Sequence, residues 1–194
     1  MKRKIASFLL FAMAFILNAA GFDTPKGWFK GAGHPPKYDI GVDTGAGLNG
    51  SNAGTIKSIL PYIDGSGKLA QRFKAGKLAG HKIRMTGYMK SKDVIVYAMF
   101  WLNAIKLEGE KAKNLAYENM MDRPIVGTTD WTEYEIILSV PAEANYMVIG
   151  AWLTGTGQIW IDDLKFEILA PSSLQVVKDT TKEEQGPVNL NFED

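Results

Sequence analysis

Four flat aromatic side chains, Tyr97, Trp101, Tyr146 and Trp152, share the same parity on two alternating stretches of the sequence. From Val94 to Asn103, the residues Val94, Val96, Ala98, Phe100 and Leu102 form one set, and Ile95, Tyr97, Met99, Trp101 and Asn103 form the other. From Tyr146 to Leu153, Met147, Ile149, Ala151 and Leu153 point one way, and Tyr146, Val148, Gly150 and Trp152 the other. Period two is the signature of a strand whose successive side chains leave opposite faces. The first set of each pair is the better core face, which leaves the aromatics on the far side, with Gly150 making room above the sheet. Aromatic rings there can stack on the C–H faces of sugar rings while nearby amides, carboxylates and arginines bond the hydroxyls. Tyr117, Asn119 and Arg123 lie on the Leu115 to Pro124 connection, placed to border that platform. Plainer readings stand beside this one: the aromatics pack beneath that connection, or the two faces are inverted and the aromatics point to the core, and Arg123 of Asp122-Arg123-Pro124 only fixes the loop through a carboxylate pair.

Other chemistries find less support. With no Cys and two His, at His34 and His81, the chain offers neither a thiolate nucleophile nor a multi-histidine metal site. It holds no G-x-S-x-G elbow, and neither histidine stands in a triad setting. Gly45-Ala-Gly-Leu-Asn-Gly50 matches a dinucleotide fingerprint, but Ser-Asn-Ala-Gly-Thr follows it where an amphipathic helix would have to begin. Asp162 and Asp163 are the most suggestive carboxylate pair, yet alternation sends them to opposite faces of one strand, so they do not act together across a substrate. Asp162, on the side of Trp160 and Leu164, reads as a buried acid that needs a cation or several N–H donors. It either caps a turn or holds a structural Ca²⁺ together with Asp23; no other cofactor is required.

These residues need a β framework. The chain has 194 residues, 46% hydrophobic and 22% charged, with 20 Gly and 8 Pro, a composition that suits one globular domain. Gly, Pro, Asn and Asp interrupt it about every ten residues, leaving eight or nine short alternating segments and no helix long enough for a βαβ crossover. An all-β, two-sheet antiparallel β-sandwich of the jelly-roll kind is expected over 21–170. Residues 1–20 open with Lys2-Arg3-Lys4, run apolar from Ile5 to Leu17 and end on Asn18-Ala19-Ala20, the pattern of a secretory signal peptide too short to span a bilayer, with an uncleaved amino-terminal membrane anchor as the alternative. Its removal leaves no membrane segment, places the product outside the cell or in the periplasm, and tips the balance of 22 basic against 21 acidic residues to slightly acidic. Such a chain lacks the positive charge that nucleic-acid affinity is built from. After Pro171 the pattern fades, so 171–194 reads as a polar tail.

The stretch from Asn119 through Asp122-Arg-Pro124 to Trp131 and Tyr134, followed by Gly155-Thr-Gly-Gln-Ile-Trp-Ile-Asp-Asp163, resembles bacterial jelly-roll domains of the galactose-binding-like superfamily, and more broadly its carbohydrate-binding modules. The resemblance covers about Tyr38 to Ile168. It implies a sugar ligand and a calcium role for the acid of the closing strand, here Asp162. It transfers no sugar-binding residue, so those rest on face parity. Some members of the narrower group are labelled transcriptional regulators, but this chain shows no helix-turn-helix pattern. Asn189-Leu-Asn-Phe-Glu-Asp194 is similar to the opening strand of such domains, so the tail is a stub of a further module, an added strand reaching its own or a neighbouring domain, or a solvated end. The expectation is an exported, non-catalytic carbohydrate binder. A structural or protein-interaction module is the rival, and a glycan hydrolase comes third.

Overall fold

The computed structural model describes residues 21–32, 37–169 and 186–194, so the expected signal segment 1–20 and residues 170–185 lie outside the described residues. Nine strands account for most of the rest: β1 (Phe29–Ala32), β2 (Tyr38–Asp43), β3 (Ala53–Ser58), β4 (Ser66–Lys74), β5 (Lys82–Glu108), β6 (Lys111–Asn119), β7 (Ile125–Ser139), β8 (Tyr146–Thr154) and β9 (Gln158–Leu169). Every pairing between them is antiparallel.

β5 organises the molecule, because its 27 residues belong to two layers. From Lys82 to Lys92 it lies between β7 and β9, and β9 continues to β3 and β2. From Tyr97 it pairs with β8 and from Trp101 it lies between β6 and β8, and β8 continues to β4 and β1. The layers are therefore β7-β5-β9-β3-β2 and β6-β5-β8-β4-β1, joined through one strand, the arrangement of a β-sandwich. Their inner faces meet closely: a Cβ on Gly67 of β4 would lie 2.7 Å from the Tyr38 ring of β2, and one on Gly87 would lie 3.3 Å from the Phe100 ring. Phe73 and Phe166 cross edge-on from opposite layers at 5.8 Å.

The crossing in β5 falls at Asp93, whose φ is 53°. Aspartate tolerates this left-handed conformation better than most residues because its short side chain bonds locally. The β8–β9 turn buttresses the bend: Ile95 N–H donates to the Thr156 carbonyl at 3.1 Å, and a Cβ on Gly155 would come within 2.6 Å of Val96. The bend also breaks the expected alternation. Ile95 and Val96 are both exposed, at 69% and 47%, so Val96 is not a core residue; regular parity resumes at Ala98. Beyond it Ala98, Phe100, Leu102 and Ala104 are fully buried, as are Met147, Ile149, Ala151 and Leu153 of β8. Each large apolar side chain among them stabilises by roughly 1.5–3 kcal/mol.

Three further expectations change. The first half of the Leu115 to Pro124 connection is strand, since β6 runs to Asn119 and pairs with β5. Trp160 and Leu164 do not share a face: Asp163 takes φ 51° and the β5–β9 register shifts between Thr86 and Tyr88, so Ile159 and Ile161 point inward before the shift and Leu164 after it. The chain end is neither an added strand nor a solvated tail. Phe192 is 1% exposed and meets Trp28 at 5.0 Å between ring centroids, and Leu164 N–H donates to the Leu190 carbonyl. Gln71 is buried on the inner face of β4, donating to the Val188 carbonyl and accepting its N–H, both at 2.8 Å. One amide thus satisfies both backbone groups of the inserted segment, which would otherwise cost about 1–3 kcal/mol each.

Candidate functional site on the outer face of the second layer

Directly opposed residues in an antiparallel ladder share a face, so register shows which side chains stand together. Across the second layer one row reads Asn119, Trp101, Gly150, Ala70 and Phe29. The row on one side reads Met99, Trp152, Lys68 and Gly31; beyond it come Tyr97, Thr154 and Ser66. On the other side stand Tyr117, Asn103, Val148 and Arg72, then Ile105, Tyr146 and Lys74. Their chain neighbours Leu69, Phe100, Leu102, Ile149 and Ala151 are buried between the layers, so these rows lie on the side away from the core.

Trp101 lies over Gly150: a Cβ there would sit 3.0 Å from the indole Nε1 and 2.5 Å from the Leu69 carbonyl oxygen. The Tyr117 ring stands 6.4 Å from Trp101 at an interplanar angle of 35°, and Tyr117 is 46% exposed. Asn119 positions that tyrosine, donating from Nδ2 to its hydroxyl at 3.1 Å while its Oδ1 accepts the Met121 N–H at 3.0 Å. The indole of Trp152 is not bare, since Lys68 Nζ stands 3.8 Å from its ring centroid. The Arg72 guanidinium lies 5.7 Å from the Tyr146 ring. Such cation–π contacts hold flexible side chains near one geometry at little cost in hydration.

Unpaired polar atoms gather here. Among the described residues, five covered side-chain atoms have no hydrogen-bond partner: Trp101 Nε1, Asn103 Oδ1, Trp152 Nε1, Thr154 Oγ1 and Arg84 Nε. Arg84 Nε faces Glu135 at 3.2 Å, so its charge is matched; the other four all belong to this one face. Folded proteins pair nearly all such groups, so four covered and unpaired atoms on one face are a local departure from that rule.

Tyr97, Trp101, Tyr117, Asn119, Tyr146 and Trp152 are therefore gathered on one face, and Arg123 is not among them. Its guanidinium bonds the Asp122 carboxylate and the Glu135 carbonyl of β7, each at 2.7 Å, which ties the β6–β7 turn to the first layer. Parity revealed the tryptophans and tyrosines but not Phe29, Lys68, Arg72 and Thr154. β1 and β4 are far from β5 and β8 in sequence, and only the register brings them alongside.

Asp23 and Asp162 are not brought together. Asp23 bridges Val42, Val42 opposes Gly54, and Gly54 opposes Ile161, so β2 and β3 lie between, about 14 Å of sheet at the usual strand spacing. Asp162 is 2% exposed, and its Oδ2 accepts the Leu48 N–H at 2.9 Å and the Ser51 hydroxyl at 2.7 Å. Its Oδ1 accepts the Asp163 N–H at 2.7 Å. These are the contacts of a carboxylate anchoring the turn at 48–51, and the pair does not fit a shared Ca²⁺ cage. Among the described residues no three His, Asp or Glu side chains gather as metal ligands.

The chain matches no protein-family model. It is 33% identical over 175 residues to the uncharacterized HTH-type transcriptional regulator YbfP of Bacillus subtilis (strain 168), a match covering 87% of this chain and 57% of that protein. The chain thus spans little more than half the length of that relative. Among solved structures, the enzymatically active domain of tailspike protein 4 from bacteriophage CBA120 superposes with a TM-score of 0.57 at 11% identity, covering 74% of this chain and 20% of that one. A Bacteroides thetaiotaomicron protein described as sugar-binding gives 0.52 at 13% identity, covering 78% and 96%. The Clostridium thermocellum xylanase 10B CBM22-1-GH10 modules, complexed with xylohexaose, give 0.51 at 14% identity, covering 74% and 26%. At these identities the likeness is one of fold, the β-sandwich that carbohydrate-binding modules also use.

Proposed function

We propose that this chain is an exported, non-catalytic carbohydrate-binding module that holds glycan on the outer face of its second layer. The observation carrying the reading is the Trp101–Tyr117 ring pair on that face, with Tyr117 46% exposed and its hydroxyl held beside the Asn119 amide, which together offer a stacking surface with polar groups at its edge. Two structural neighbours described as sugar-binding or solved with a xylo-oligosaccharide support the same ligand class. No row of this face carries Asp or Glu, so the carboxylate pair of glycoside hydrolysis has no place on it. Export rests on the basic and apolar opening of the sequence and is tested by sequencing the amino terminus of the secreted product. The match covers 57% of the regulator-like relative, and the helical pieces among the described residues, two three-residue turns, are too short for a helix-turn-helix.

The test is titration with a panel of soluble polysaccharides, following tryptophan fluorescence. We expect a saturable change with at least one glycan and a loss of roughly five- to hundredfold in affinity for Trp101→Ala, taking the ~1–3 kcal/mol of aromatic stacking on nucleic-acid bases as a guide. Absence of any response across the panel would leave a protein-interaction module as the better reading. Glycan turnover that survives purification would revive the enzyme reading.

A further inference from the structure

The segment 186–194 is held in the manner of a bound peptide rather than of a strand. Its backbone joins no ladder. Instead the consecutive carbonyls of Val188, Asn189 and Leu190 accept from Gln71 Nε2 at 2.8 Å, the Trp28 indole at 3.0 Å and the Leu164 N–H at 3.1 Å. Gln71 Oε1 takes the Val188 N–H, and Asn52 grips the Glu193 carboxylate through its backbone N–H at 2.8 Å and its Nδ2 at 3.2 Å. Phe192 fills the pocket over Gly54 and against Trp28. These receiving groups come from distant parts of the sequence and are fixed without the segment: Gln71 lies in the β4–β8 ladder, Gly54 between β2 and β9, and the Asn52 side chain accepts the Gly45 N–H. The segment likewise sets its own shape. Asn189 donates to the Asp194 carbonyl at 2.9 Å and accepts its N–H at 3.1 Å, closing a loop that holds Phe192 at φ 59°, a conformation that bulky residues rarely take. A preformed slot and a preorganised loop with one aromatic anchor are the two halves of a peptide-recognition site.

We propose that this slot is a peptide-binding site that takes the 186–194 segment from a second copy of the chain as well as from its own. The slot asks for an aromatic anchor followed by an acid on a clasped loop, which Asn189 to Asp194 of every copy supplies. Sixteen residues, 170–185, join β9 to the segment and reach at most roughly 50–60 Å when extended. The contacts made between copies are those made within one copy, atom for atom, so they favour neither arrangement. The balance is set by the local concentration of the tethered segment, on the order of millimolar, against the concentration of the protein. The outer face bearing Trp101 and Tyr117 takes no part, so this proposal stands or falls apart from the carbohydrate reading.

The test uses the intact protein and a fluorescent peptide of residues 186–194. In Phe192→Ala the resident segment loses its anchor, and its hold on the slot weakens by roughly a hundredfold or more. The peptide should therefore bind that variant about tenfold tighter, or more, than it binds the wild type, whose slot is filled, and should raise the variant's melting temperature. A peptide itself carrying Phe192→Ala should do neither. Phe192→Leu takes the place of the alanine variant if that one does not fold. Because the sequence holds no cysteine, one copy with Asn52→Cys and another with Glu193→Cys come within reach of a short bis-maleimide when the segment of the second lies in the slot of the first. After equilibration near the unfolding midpoint, the joined pair should grow as the protein concentration rises toward ~1 mM and fall about fivefold or more with excess wild-type peptide. Wild-type peptide that neither binds nor stabilises a Phe192 variant overturns the site. Peptide binding with no joined pair at any concentration, or a pair that excess peptide leaves unchanged, overturns the second copy as its occupant.

Discussion

Replacing Phe192 by alanine tests whether the chain end is part of the core. The ring is 1% exposed and packs on Trp28, and a Cβ placed on Gly54 would lie 2.6 Å from two of its carbons. Removing a buried phenylalanine costs about 3–5 kcal/mol, a large share of the roughly 5–15 kcal/mol that holds a domain of this size together. The contact with Gly54 gives a second, sharper expectation. Gly54→Ala alone overpacks that spot and should cost about 1–3 kcal/mol. In the Phe192→Ala background the added methyl enters the space the ring vacates, so the double variant should be hardly less stable than Phe192→Ala. The two changes should therefore depart from additivity by about 1–3 kcal/mol in the favourable direction. Urea unfolding of the four proteins, with midpoints compared at unchanged slope, measures the cycle; Phe192→Leu replaces the alanine if that variant does not fold. A loss below about 1 kcal/mol for Phe192→Ala, or additivity within about 0.5 kcal/mol, would refute the placement of this segment.

Asp162→Ala should cost about 2–4 kcal/mol in the same assay, because it strands the Leu48 and Asp163 N–H groups; a loss within 0.5 kcal/mol, the ordinary range for surface changes, would contradict it. Burial pushes the Tyr38 phenol up to about 12 from the ordinary 10, so the folded state keeps its proton where the unfolded chain has lost it. Stability should be constant with respect to this group below pH 10 and fall by roughly 2 kcal/mol toward pH 12, a slope that Tyr38→Phe abolishes. Gly150→Ala brings a Cβ to 2.5 Å from the Leu69 carbonyl and 3.0 Å from the Trp101 indole. It should weaken glycan binding by tilting that ring and lower the melting temperature; normal affinity would show that Trp101 has no fixed seat.

The sequence made the interior of this fold legible wherever alternation ran unbroken, as in Ala98 to Ala104 and Met147 to Leu153. It misled at the two places where an aspartate takes positive φ, Asp93 and Asp163, at 53° and 51°. Each irregularity lets the chain gain a residue against its partner and inverts the parity downstream, and no glycine marks either site. β6 escaped notice because Lys111 to Asn119 forms an edge strand with one side open, so its apolar residues do not alternate. The chain end carried a signal, Val188, Leu190 and Phe192 at period two, but the polar residues before it drew the whole stretch toward a tail. Gln71 completes the explanation: its burial in a strand of apolar residues makes sense only once the Val188 backbone is seen bonded to it.

The outer face is tied to the inner one more tightly than its position at the surface suggests. Tyr146, Val148, Gly150 and Trp152 point outward because Met147, Ile149, Ala151 and Leu153 are each 0% exposed on the other side of the same strand. A one-residue slip of β8 against β5 would exchange the two sets, forcing two large aromatics into a filled interior and placing three long apolar side chains in water. At roughly 1.5–3 kcal/mol for each large side chain lost from the core, such a slip would cost much of the molecule's stability. The same register seats Trp152 beside Lys68 and Gly150 beneath Trp101. Selection for a well-packed core therefore holds the ring, cation and glycine in place, and the identity of the outward residues is left free to set which ligand the face receives.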